Sequence, residues 1–212
     1  MHIILYPKER KVLQCGSVAQ LKTIYMTINS IRVILPKQEP ANYAARVQVT
    51  VDGGVILRGM ALMHSNDSMF LLMPYIFRAN RSRLDIFHPI SQEIRKQLTD
   101  EVISVYQQAV HQKRRDLTVI FNADGKTSFG NIGVRRLSRF HALKGTASVV
   151  LNNAIFVNRI SIVKDPVSGI LRLEMPYQEF ERFGSREAYI RFPAEDYEEL
   201  YKLIISHYSE KT

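Results

Sequence analysis

The 212-residue chain has one cysteine and no tryptophan. A single thiol, Cys15, cannot close an intramolecular disulfide, which fits a reducing compartment. It has no neighbouring base or orienting partner of the kind a thiol nucleophile needs, so Cys15 reads as structural or incidental. Long apolar runs are missing too. Met1 to Tyr6 is strand-sized, no signal-peptide apolar region follows it, and no stretch approaches the roughly 20 residues of a membrane helix. The expectation is a soluble cytoplasmic protein with no membrane partner. The six histidines show no metal-ligand spacing. No glycine-rich phosphate loop opens a helix, and no Gly-x-Ser-x-Gly elbow occurs. The densest carboxylates, Glu195 to Glu199, read as the solvated face of an amphipathic helix. His88 precedes a proline and a helix start with no acid or nucleophile in view, so it reads as a cap or core histidine. No catalytic residue, metal or cofactor is expected.

What is present is positive charge and repetition. The formal net charge is +9, from 29 Lys and Arg against 20 Asp and Glu, which favours a polyanionic partner. Phe70-Leu71-Leu72-Met73-Pro74-Tyr75 has a counterpart in Leu171-Arg172-Leu173-Glu174-Met175-Pro176-Tyr177, the shared Met-Pro-Tyr lying 102 positions apart. Thr50-Val51-Asp52-Gly53-Gly54-Val55-Ile56 matches Val150 to Phe156 at an offset of 100, and Phe87-His88-Pro89 matches Arg191-Phe192-Pro193 at 104. Four features in one order, each copy closing on a helical pattern, indicate a unit written twice.

One copy reads cleanly as local structure. Arg46 to Val51 alternates as a half-buried strand does. Asp52-Gly53-Gly54 tolerates the positive φ of a tight hairpin turn. Val55 to Met63 returns as a second strand, Ser65 to Ser68 turns, and Met69 to Met73 is a third, ended by Pro74. A helix follows Pro89 with an apolar face of Ile90, Ile94, Leu98, Val102, Val105, Tyr106 and Ala109. Pro89 is expected near its first turn. In the second copy the turns are Asn152-Asn153 and Lys164 to Gly169, the strand is Ile170 to Met175, and a helix follows Pro193. The organisation expected is an N-terminal extension over residues 1–27, with an extra hairpin turning at Pro7 to Arg10. A first repeat covers residues 28–110, a basic linker 111–128 with a strand from Leu117 to Phe121, and a second, divergent repeat 129–212.

The cations cluster. Arg78, Arg81 and Arg83 fall between strand and helix of the first copy; Arg95 and Lys96 follow on the helix. Lys113, Arg114 and Arg115 lie just past its end, and Arg135, Arg136, Arg139 and Lys144 form an acid-free stretch of the second copy. Arginine dominates, which suits bidentate phosphate or guanine contacts.

The order of strand, hairpin turn, strand, turn, strand ending in Met-Pro, basic loop and His-Pro-Ile opening a helix resembles the stage V sporulation protein G (SpoVG) family. Ile31-Arg32-Val33 is similar to its opening strand, Met73-Pro74 to its Met-Pro, and His88-Pro89-Ile90-Ser91 to its His-Pro-Ile-Asn. Arg95 falls at its helix arginine. The likeness runs from Ile28 to Ala109, with a weaker echo from Ile132 to His207. It implies an α+β fold of two tandem SpoVG-like repeats, each an antiparallel β-meander followed by a C-terminal helix, packed as an intramolecular pseudo-dimer. It also implies a nucleic-acid-binding regulator, DNA ahead of RNA, contacting its target through the basic loop and helix of the first repeat. Departures are specific. Gln97 stands where the family has lysine, and Lys96, one residue earlier, points about 100° round the helix. The second copy reads Phe192-Pro193-Ala194, and the counterpart of Arg95 is Tyr197 or Glu199. The alternative is a protein–protein adaptor or inhibitor using the acidic second helix with Tyr189, Tyr197, Tyr201 and Tyr208. Further oligomerisation is left open.

Overall fold

In a computed structural model, the residues described are 3–5, 26–37, 43–65, 68–121, 123–138, 142–180 and 185–210. The first half runs β2 (Ile28–Ile34), β3 (Ala45–Val51), β4 (Val55–Ser65), β5 (Ser68–Leu72), a small hairpin of β6 (Tyr75–Phe77) and β7 (Arg83–Asp85), β8 (Phe87–Pro89) and α1 (Gln92–His111). The second half runs β10 (Phe129–Arg136), β11 (Leu143–Leu151), β12 (Ile155–Lys164), β13 (Leu171–Glu174), a hairpin of β14 (Tyr177–Phe180) and β15 (Ser185–Ala188), β16 (Ile190–Arg191) and α2 (Ala194–Glu210). The α+β meander-plus-helix architecture is as expected.

Each central hairpin follows from its sequence. In β3, Ala45, Val47, Val49 and Val51 are buried while Arg46, Gln48 and Thr50 face outward, the period-2 pattern of a sheet covered on one side. Asp52, Gly53 and Gly54 make the turn at φ of +43°, +83° and +115°, and Asn152 and Asn153 make its counterpart at +47° and +49°. β4 buries Val55 and Leu57, then Met60 and Leu62, so its alternation slips by one residue midway. A β-bulge absorbs the slip: Arg58 and Gly59 together oppose Gln48. β12 does the same, burying Ile155 and Val157, then Ile160 and Ile162, with Asn158 and Arg159 opposite Ser148.

The halves are interlocked. β8 pairs with β12, setting Phe87 opposite Val157, and β16 pairs with β4, setting Ile190 opposite Leu57. At each bulge the backbone N–H of Arg58 donates to the Tyr189 carbonyl, and that of Asn158 to the Ile86 carbonyl, both at 2.8 Å. Phe87 and Ile190 are fully buried at these junctions. One apolar core therefore runs through both sheets and both helices.

Three sequence expectations change. Phe87 and Ile190 hold equivalent places, an offset of 103 (87 to 190), one residue short of the motif alignment at 104. Pro89 lies in β8 opposite Ile155 and closes that strand; Ser91 is the helix N-cap, its hydroxyl accepting from the Ile94 N–H at 3.2 Å. The segment 111–128 is more than a link, because β9 (Asp116–Phe121) sits between β2 and β1 (Ile3–Leu5), antiparallel to the first and parallel to the second. The turn at Pro7 to Arg10 lies outside the described residues.

Candidate nucleic-acid interface

The arginines of the first basic cluster ride on the β6–β7 hairpin. Tyr75 pairs with Asp85 and Phe77 with Arg83, leaving residues 78–82 as the tip. The tip is tied by its own polar groups. The Arg81 N–H donates to the Arg78 carbonyl at 2.8 Å and the Arg78 N–H to the Ser82 carbonyl at 2.9 Å. The Asn80 side-chain oxygen accepts from the Ser82 N–H and hydroxyl. Arg81 takes φ +61°, a left-handed position that a non-glycine residue holds at a cost. Arg78 and Arg81 are exposed, and among the described residues neither makes an ion pair. Arg83 differs: its guanidinium lies 4.5 Å from the Tyr75 ring centroid and its Nε donates to Asp85 at 2.7 Å.

The helix start meets the foot of this hairpin around His88. Arg83, Asp85 and His88 line one shallow depression with Phe156 and Asn158 from the other half. Burial pushes the His88 imidazole below its ordinary pKa; Asp85 opposes this and the positive charge of Arg95 adds to it. Its Nδ1 is buried and has no hydrogen-bond partner among the described residues, and the burial favours the neutral ring. The imidazole is walled in by ring contact with Phe156, at 5.3 Å between centroids. Arg95 is half-buried and makes no ion pair among the described residues. Lys96 is exposed and held by Asp100, one turn on, at 2.8 Å. Exposed pairs of this kind are weak and exchange readily for a phosphate.

The remaining basic groups are elsewhere. Lys113 is about 18 residues beyond Arg95, roughly 27 Å along the helix at 1.5 Å per residue. There Lys113 turns left-handed (φ +52°) and the Arg114 N–H caps the Ala109 carbonyl, so the Lys113–Arg115 charges sit where the helix dipole favours cations. Arg135 and Arg136 are on β10, the edge of its sheet away from β8. Arg136 lies 4.5 Å from the Tyr208 ring centroid and donates to the Tyr208 carbonyl, binding β10 to the end of α2. Arg135 is exposed, and Arg139 lies outside the described residues. Thus Arg83 and Arg95 both lie by His88, Arg78 and Arg81 are on the tip of the hairpin that carries Arg83, and Lys96 follows Arg95 on α1, while Lys113–Arg115 lie past the far end of that helix and Arg135–Arg136 on β10. The contribution of Asn158 and Phe156 was missed by reading the sequence, because it comes from a strand that β8 reaches across the interlock.

The second helix is different in kind. Its buried Leu200 and Ile204 match Leu98 and Val102 at an offset of 102, which sets Tyr197 opposite Arg95 and removes Glu199 from that choice. The Tyr197 and Tyr201 hydroxyls donate to the Leu173 and Leu171 carbonyls, both at 2.9 Å. They fasten α2 to β13.

Comparison with known proteins matches residues 26–108 to the SpoVG family. Similar relatives are named as septation proteins. The SpoVG protein of Myxococcus xanthus is 26% identical over 99 residues, 47% of this chain and 98% of that protein. That of Fusobacterium nucleatum is 37% identical over 62 residues, 29% of this chain and 67% of that protein. That of the archaeon Archaeoglobus fulgidus is 26% identical over 81 residues, 38% of this chain and 94% of that protein. No helix among the described residues is long and apolar enough to cross a membrane.

Proposed function

The chain belongs to the SpoVG family through residues 26–108, and from that premise we propose that it is a nucleic-acid-binding regulatory protein, acting on DNA ahead of RNA. The observation that carries the reading is that the foot of the β6–β7 hairpin and the start of α1 meet at His88, where Asp85 and Arg95 both act on the imidazole. Arg78 and Arg81 on the hairpin tip and Arg95 on the helix make no ion pair among the described residues, Lys96 follows Arg95, and the protein carries a net charge of +9. Arginines free of carboxylates are available for bidentate phosphate contacts, and one helix turn with a neighbouring hairpin suits a groove-wide footprint. The second half supports the first as the other member of an intramolecular pseudo-dimer. Tyr197 in place of Arg95 and the acidic Glu195, Glu198 and Glu199 make its helix unsuited to phosphate, so the contacts are one-sided. Lys113, Arg114, Arg115 and Arg135 form outlying positive charge that steers approach.

The test is fluorescence anisotropy with a labelled duplex over a salt series. Each phosphate contact contributes a slope of about 0.9 in log K against log salt. Arg78→Ala combined with Arg81→Ala is expected to lower the slope by about 2 and weaken binding at all sequences. A dissociation constant unchanged between low and moderate salt refutes the reading. The adaptor alternative is favoured instead if no probe is bound and a protein is recovered in pull-down after nuclease treatment.

A further inference from the structure

The face of the first sheet that points away from its helix carries a second cluster of arginines, from residues scattered in sequence. Arg32 on β2 is opposite Gln48 on β3, and Arg58, in the bulge of β4, faces Gln48 from the other side, so Arg32, Gln48 and Arg58 form a row across three strands about 5 Å apart. Arg46 lies two residues from Gln48 along β3, on the same face. The β14–β15 hairpin of the other half arches over this face and closes a cleft of about 360 Å³ with Tyr43, Gln178, Glu187 and Tyr189.

The cleft is built, not merely lined. The Arg58 Nε donates to the Gln48 side-chain oxygen at 3.0 Å, and its guanidinium pairs with Glu187 at 3.2 Å, fixing it with its side chain only 25% exposed. Arg32 is held by Asp116, its Nε donating at 2.9 Å. Arg46 has no carboxylate partner among the described residues; its guanidinium stands 5.6 Å from the Tyr43 ring centroid. The Tyr189 ring packs on Gly59, where a Cβ would fall 2.6 Å from it, so the glycine seats the ring in the cleft wall. Both edges of β3 are taken by β2 and β4, which excludes a ligand that binds by adding a strand. Recognition here must use side chains: aromatic faces, amides able to donate and accept, and the Arg46 guanidinium, which has no carboxylate partner among the described residues. That set matches a nucleobase and its phosphate, since base–aromatic stacking and arginine contact hold single strands without a duplex groove.

We propose that this cleft is a second nucleic-acid site, taking a single-stranded segment with a base against Tyr43 and Tyr189 and a phosphate on Arg46. The proposal rests on the nucleic-acid reading above but uses a different face. A duplex held by the β6–β7 hairpin and a strand held by the cleft would be bound by separate residues.

The experiment photo-crosslinks the intact protein to a bromouracil-substituted single-stranded oligonucleotide, maps the adduct by mass spectrometry, and measures affinity for oligo-dT. The expected result is an adduct at Tyr43 or Tyr189 and about a tenfold loss of oligo-dT affinity in Arg46→Ala and in Tyr43→Leu. Both lie at the sheet surface, and their duplex affinity should equal wild type. Adducts confined to residues 75–96, with Arg46→Ala binding like wild type, overturn the cleft and leave the duplex site standing. Absence of any nucleic-acid binding sinks both. Displacement by poly-glutamate of a probe that never crosslinks in the cleft assigns the face to an acidic polypeptide and also overturns the proposal.

Discussion

Asp52 is the residue where the hairpin turn and the electrostatics of the core conflict. Its carboxylate accepts from the Thr27 N–H at 2.9 Å, but its second oxygen is buried with no hydrogen-bond partner among the described residues. Burial raises its pKa above the ordinary carboxylate value; the bonds from Thr27 and Asn152 only partly oppose this. The native state therefore binds more protons than the unfolded chain between roughly pH 4, where a free aspartate titrates, and the raised value. Stability from this group is complete below that window and is lost as pH rises through it. The equivalent position in the second half is already an amide: Asn152 accepts from Ser128 through the same side-chain oxygen. Asp52→Asn should preserve the Thr27 bond and make the protein more stable than wild type at pH 7, the gap closing below about pH 4. Denaturant midpoints across that range check it. Equal midpoints at pH 7 would count against the buried-charge account. The turn itself was readable from Asp-Gly-Gly and Asn-Asn. The burial of the charge was not, because a segment far along the chain packs on the turn: Gly125 lies against Asp52, and the Thr127 hydroxyl donates to the Asp52 carbonyl from 75 residues away.

At the scale of elements, the bulges decide how the halves lock. The slip of alternation from Val55 and Leu57 to Met60 and Leu62 is visible in the sequence, and so is its echo at Ile155, Val157, Ile160 and Ile162. Period-2 reading spans each as one continuous strand, so the local kink passes unnoticed. Its partner, a carbonyl from the far half, leaves no local trace. The two bulges predict opposite effects for opposite substitutions. Gly59 sits at φ +80° under the Tyr189 ring, and Gly59→Ala should cost about 1–3 kcal/mol from backbone strain and overlap. Arg159 holds φ +63° with a side chain that is exposed, and Arg159→Gly should relieve on the order of 0.5–1 kcal/mol. Chemical denaturation of both variants tests the pair; a stabilised Gly59→Ala would refute the packing described. The basic clusters were legible as runs of sequence, and their sorting into separate regions was not. Helix length and the pairing of β8 with β12 set that sorting, whereas the outward arginines of the sheet, one per strand, never form a run at all.

For the whole molecule, the exchange of β8 and β16 makes each half incomplete alone. A fragment of residues 26–112 would leave the edge of β4 that receives β16 open and β8 without β12. Open edges seek partners, and two copies of the fragment could satisfy each other with β8 of one along β4 of the other. The fragment is expected to run as a dimer in size-exclusion chromatography with light scattering. The full chain should unfold in a single transition, because Phe87 and Ile190 tie both sheets into one core. A folded, monomeric fragment would show that the interlock is dispensable.

The interlock also changes what mutation can do to this molecule. When two identical chains embrace, every substitution is printed on both faces at once, and no change can be tried on one side only. Two interlocked halves within one polypeptide are under no such constraint. Arg95 on one helix stands where the other has Tyr197, and Gly59 at one bulge where the other has Arg159. Covalent linkage thus turns an enforced symmetry into a heritable left and right, and each face answers to its own selection.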